Sequence, residues 1–129
     1  MHSVRELDHE RLDVYQRALD FVVEATAIRR ALPQGCGALA DQLDRAAVSI
    51  ALNIAEGAGE FAPREKARFY RIARRSATES AAVLDVARRM GVASSAEVQA
   101  AKATLREIVA MLVRLAKKME SPPLSPPPV

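Results

Sequence analysis

Four arginines, Arg64, Arg68, Arg71 and Arg75, recur at steps of four, three and four, a spacing that on a helix gathers them within about 60° of one another. Arg89 falls on the same stripe, and Lys66 and Arg74 add charge on its flanks. No acidic residue intervenes on the stripe before Glu79. Guanidinium groups about 5–6 Å apart can follow successive phosphates, each of which releases counterions when neutralised. The chemistry on offer is therefore binding of a nucleic-acid backbone. Aromatics make up only 4% of the chain, which argues against base stacking on a single strand. A plain solvated or intersubunit face is the competing reading of the same row.

Other residue types with chemical potential do not assemble into a reaction. Gly57-Ala-Gly59-Glu-Phe-Ala62 and Gly35-Cys-Gly37-Ala-Leu-Ala40 both fit the glycine spacing of a dinucleotide-binding turn. That turn needs a preceding β-strand inside a βαβ unit, and here each follows a helical pattern, so both read as turns between helices. His9 and Asp13 stand four apart, with His2 as the second of two histidines; two ligands fall short of the usual four, and no metal is expected. No nucleophile elbow or Cys/His pairing occurs, so no catalytic residue, cofactor or small-molecule substrate is expected and the chain reads as a non-enzyme.

Composition bounds the class. With 129 residues, half of them hydrophobic, the chain suits one domain around one core. Ala, Leu, Arg and Val dominate and there are five glycines and no Trp, which favours helix throughout. The single cysteine, Cys36, fits a reduced compartment. The apolar runs are too short for a membrane span, and the charged start Met-His-Ser-Val-Arg-Glu is unlike a signal peptide, so a cytoplasmic location is expected. The net charge of +3 hides an asymmetry: residues 1–62 hold six Lys/Arg against ten Asp/Glu, and residues 63–129 hold thirteen against six. Halves of −4 and +7 point either to an anionic partner or to docking of one copy on another.

The elements that must position the arginines follow from periodicity. Leu12, Tyr15, Leu19, Val22 and Thr26, widened by Ala18, Ala25 and Ile28, mark a first helix from Asp8 or Asp13 to about Ala31, stopped by Leu32-Pro33-Gln34-Gly35. A second runs from about Ala38 to Glu56, with Gly57 placed as the left-handed residue after its end. The third starts at Pro63, a favoured first helical position, and ends at Met90 before Gly91. Ser94 with Glu97 forms a capping box for the fourth, whose Val98, Ala101, Leu105, Ile108, Leu112, Leu115 and Met119 alternate steps of three and four as in a heptad seam. These four helices predict an all-α, antiparallel up-down four-helix bundle over residues 1–120. Residues 121–129, Ser-Pro-Pro-Leu-Ser-Pro-Pro-Pro-Val, predict an extended, disordered tail.

The second helix is apolar around nearly its whole circumference from Arg45 to Glu60. It is expected in the interior, the least exposed of the four. Ser49 and Asn53, one turn apart, are its central polar side chains and form a structural polar core that must find partners.

Leu12-Asp-Val-Tyr-Gln-Arg-Ala18, Asp41-Gln-Leu-Asp-Arg-Ala-Ala-Val-Ser-Ile50, Asn53-Ile-Ala-Glu-Gly57 and Arg68-Phe-Tyr-Arg-Ile-Ala73, with Ser76 and Glu79, closely resemble the bacterial four-helix-bundle proteins related to the 23S rRNA intervening-sequence-encoded protein. The resemblance covers about Leu7 to Met119. It implies an up-down four-helix bundle, ring-shaped homo-oligomers that are pentamers by expectation, and an association with RNA. The chain departs from the family pattern at Ala51, where a proline is typical, at Ala62 in place of a serine cap, at Arg75 in place of a glycine and at Ala81 in place of a glutamate; the last two changes make the third helix more basic.

Two functions compete. In one, basic helices repeated around a ring meet RNA phosphates. In the other, the chain is an assembly scaffold or protein-interaction module in which acidic and basic halves of neighbouring copies dock and no nucleic acid is bound.

Overall fold

Proline at the first helical position and glycine just past the last bound the longest element. In a computed structural model, which describes residues 7–121, α3 spans Pro63–Arg89 with Pro63 in its first turn and Gly91 in the left-handed region at φ 76°. Its 27 residues make a rod about 40 Å long. Before it come a 3-10 turn at Asp8–Arg11, α1 over Asp13–Ala31 and α2 over Gly37–Gly59; α4 follows over Ser95–Glu120. Ser94 caps α4 as expected from the sequence: its Oγ accepts from the Glu97 N–H at 3.1 Å, while the Glu97 carboxylate accepts from the Ser94 hydroxyl at 3.0 Å and not from the Ser94 N–H of the full box. No strand occurs among the described residues. His2 and the proline-rich residues 122–129 lie outside them.

Each helix packs on its neighbours in the chain and α4 closes on α1, while the backbones of α1 and α3, and of α2 and α4, stay apart across the diagonal. The four helices form one domain around a core in which Phe21, Leu43, Ile50, Ile54, Leu84 and Ile108 are fully enclosed. The contacts of α3 with α2 and α4 are the most extensive, and those of α1 the least.

Three expectations are corrected. First, α2 is not an interior helix. In a square of four helices each element touches two others and keeps an outer arc in water, and the outer arc of α2 carries Val48 and Leu52, 43% and 60% exposed. Second, Gly57 is inside α2 and has no positive φ; the helix runs three residues further than expected, to Gly59. Third, the core face of α1 is Val14, Ala18, Phe21, Ala25 and Ile28. Ala18, Ala25 and Ile28, which widen the stripe in the sequence, are at its centre with Val14 and Phe21, which the sequence pattern did not single out. The residues of the stripe itself lie on its flank, where Leu12, Tyr15, Val22 and Thr26 are half-buried and Leu19 is exposed. With two apolar stripes on one helix, periodicity alone does not say which faces inward.

Ser49 and Asn53 tie α2 to α3. The Ser49 and Ser76 hydroxyls share a hydrogen bond of 2.8 Å, and the Asn53 amide donates to the Ser49 carbonyl and hydroxyl at 2.9 and 3.0 Å. Ser80 extends the network by donating to the Ser76 carbonyl at 2.9 Å. Among the described residues no buried side-chain nitrogen or oxygen lacks a partner, so this polar seam carries no desolvation penalty of the unpaired kind.

Candidate nucleic-acid interface

The inner face of α3 is lined by small side chains, Ala67, Ala73, Ala77 and Ser80, that let α2 and α4 approach closely. That packing fixes the rotation of α3 and turns the opposite face outward. Arg64, Arg68, Arg71, Arg75 and Arg89, with Arg74 at the edge, are all exposed along it. Arg64 is in the first turn and Arg89 in the last, so the basic face runs the length of the helix. Ala62 provides no side-chain cap to the start of α3.

The row is not uniformly available. Glu65, one position off the stripe, pairs with Arg68 at 3.2 Å, and the Arg68 guanidinium also lies 5.4 Å from the Phe69 ring centre. Glu120, from the last turn of α4, pairs with Arg71. Sequence spacing hides both partners, one because it sits beside the stripe and the other because it arrives from another helix. Arg64, Arg74, Arg75 and Arg89 make no ion pair among the described residues.

Lys66 is placed differently from its neighbours. Its ammonium donates to the carbonyls of Ala58 at 2.8 Å and Gly57 at 3.4 Å, satisfying the C-terminal end of α2, where a cation is favoured by the helix dipole. It is a structural cap. A cation that the sequence did not single out stands near the face instead: Lys117 of α4 lines a hollow of about 130 Å³ together with Arg71, Arg74 and the acidic Glu120, so cations stand on both sides of the α3–α4 seam with one carboxylate between them.

Elsewhere the polar contacts hold one helix to another. Arg17 of α1 is held by Glu107 of α4 at 2.6 Å and Asp20 at 3.2 Å, and these two acceptors, Glu107 first, raise its pKa. Arg29 pairs with Asp44 across α1 and α2 at 2.9 Å. His9 packs edge-on against Tyr15 with ring centres 4.6 Å apart. Among the described residues no three His, Cys, Asp or Glu side chains gather as metal ligands, and no helix is long and apolar enough to cross a membrane.

Fold and surface together define a class: a small four-helix, all-α protein with an arginine-rich outer face. Within that class, residues 10–114 match the 23S rRNA-intervening sequence protein family, and the chain belongs to it. Among solved structures, the crystal structure of a protein of unknown function from the S23 ribosomal protein family of Bacteroides thetaiotaomicron VPI-5482 is similar, with a TM-score of 0.75 and 21% identity over 81% of this chain and 98% of that one. That likeness shows the fold. No curated protein matches.

Proposed function

We propose that this chain is a non-enzymatic accessory protein that assembles into a ring and binds RNA backbone through the outer face of α3. The observation that carries the reading is the exposed arginine row whose members Arg64, Arg74, Arg75 and Arg89 have no acidic partner among the described residues. Such a row matches a phosphate backbone and carries no base code, so binding has little sequence preference. The family description, which refers to the 23S rRNA intervening sequence, fits an RNA-associated role.

The finer architecture belongs to the same reading. Connections of a few residues between successive helices favour an antiparallel up-down bundle. A pentamer is the expected ring, in the cytoplasm, and ring symmetry multiplies a weak patch into an avid one.

Fluorescence anisotropy with two unrelated labelled RNAs over a salt series tests it. Arg75→Ala should weaken both RNAs equally and lower the salt slope by about one. Undetectable binding by the wild type at low salt sinks the RNA reading.

The scaffold reading has its own observation. Glu65 and Glu120 already neutralise Arg68 and Arg71, showing that carboxylates suit this face. On that reading Arg75→Ala leaves RNA binding absent and reduces the oligomer mass.

A further inference from the structure

Phe61 is 99% exposed. It stands on the short link between α2 and α3, directly after Glu60, which is the residue that ends α2. In this position Phe61 is an apolar knob in water, at the edge of a cavity of about 470 Å³ that it lines with Leu12, Tyr70 and Leu115 of its own bundle. One such residue needs no explanation by itself. The same molecule also carries a shallow, wide-open apolar hollow on a single helix.

That hollow is on the outer arc of α2, about 440 Å³ in volume and lined by Asp44, Arg45, Val48, Ser49, Leu52 and Asn53. Its floor is the exposed pair Val48 and Leu52. The Asn53 amide nitrogen is spent on Ser49. Leu52 and Phe61 are nine residues apart, about 13 Å along the helix direction, so knob and hollow on one chain do not meet.

We propose that Phe61 of one copy seats in the α2 hollow of the next, over Val48 and Leu52. Charge complementarity selects a second copy as the occupant. Glu60 precedes the knob and Arg45 is on the rim of the hollow, and neither makes an ion pair among the described residues. Seating the ring brings Glu60 of one copy to Arg45 of the next. Because knob and hollow are different patches, the contact is heterologous: every copy uses both, and the chain of contacts closes into a ring or continues as a filament according to the rotation per step. This inference rests on the homo-oligomer part of the reading above and is independent of RNA binding.

The test is a mixing experiment followed by light scattering on the full chain. Phe61→Ala, which keeps the hollow, and Leu52→Glu, which keeps the knob, should each keep their helical circular dichroism and each weaken self-association at least tenfold. Mixed one to one, they should form a dimer that grows no further, since one intact knob meets one intact hollow. The charge exchange Glu60→Arg with Arg45→Glu in one chain should restore the assembly that either change alone weakens. An oligomeric wild type whose mass Phe61→Ala leaves unchanged overturns the contact but leaves the oligomer. A monomeric wild type overturns both. Loss of RNA binding by Phe61→Ala with no change in mass also overturns it, and makes Phe61 a stacking platform for an unpaired base.

Discussion

The ring of Tyr70 fills the space that a side chain at Gly57 would need: a Cβ there would lie 2.8 Å from Tyr70 Cε1 and 3.1 Å from Phe69 Cβ. Tyr70 is 3% exposed and has little room to withdraw. Gly57 is therefore required by the closeness of α2 and α3, and its backbone conformation is ordinary. Gly57→Ala gains about 1 kcal/mol of helix propensity and loses roughly 1–3 through overpacking, so the net expectation is destabilisation in urea unfolding. In a Tyr70→Leu background the loss should shrink, and a double-mutant cycle measures the coupling.

Two substitutions two residues apart on α2 should behave oppositely. Ile50 is fully buried and Leu52 is 60% exposed. Ile50→Asp places an unpaired charge in the core at several kcal/mol, enough to unfold a domain with about 5–15 to lose. Leu52→Asp should keep the melting temperature within a few degrees. Equal effects would show that α2 is turned differently.

Removing the hydroxyl that caps α4 isolates one local contribution. Ser94→Ala should cost about 1 kcal/mol, or roughly 4 °C in melting temperature. Circular dichroism melts decide, and Ser94→Asp should recover most of the loss.

Burial raises the pKa of Tyr70 above its ordinary 10.0, which gives the fold an alkaline limit. The neutral phenol is favoured in the folded state, so its contribution is complete below the unfolded pKa and is lost as pH rises through the folded one. With Tyr15→Phe, Tyr70 is the one remaining tyrosine. Its ultraviolet titration should lie above pH 10 and coincide with loss of helical signal.

Glu120 occupies Arg71 from across the helix seam, in the way a phosphate would. Glu120→Gln should strengthen RNA binding and steepen its salt dependence, while Arg71→Ala in the native chain should weaken binding less than Arg75→Ala. Anisotropy titrations rank the three.

The helix ends were legible where local chemistry decides them. Pro63, Gly91 and the Ser94 cap bound α3 and α4 as their residue types predict. Gly57 misled because glycine serves both a left-handed turn and a close approach, and only the position of Tyr70 distinguishes them. The outer face of α2 was missed for a related reason: an apolar helix can be enclosed by its own chain or can lack part of its covering, and the composition is the same. On α3 the exposure of the arginines followed from periodicity, but the inward course of Lys66 to the end of α2 and the reach of Glu120 from α4 depend on tertiary placement.

The exposed link at Phe61 also makes the molecule divisible. In a free copy, chymotrypsin, which cuts after aromatic residues, meets there an exposed ring between two helices and would leave two fragments of two helices each, whereas a copy whose Phe61 is seated in a neighbour is protected. One fragment carries six basic and ten acidic residues, the other thirteen and six. They share the extensive α2–α3 face as well as the closure of α1 on α4, so the nicked pieces have both opposite charge and a large common surface to hold them. The two halves can then be supplied as separate peptides and recombined, which makes the bundle a split protein whose reassembly reports on its own packing.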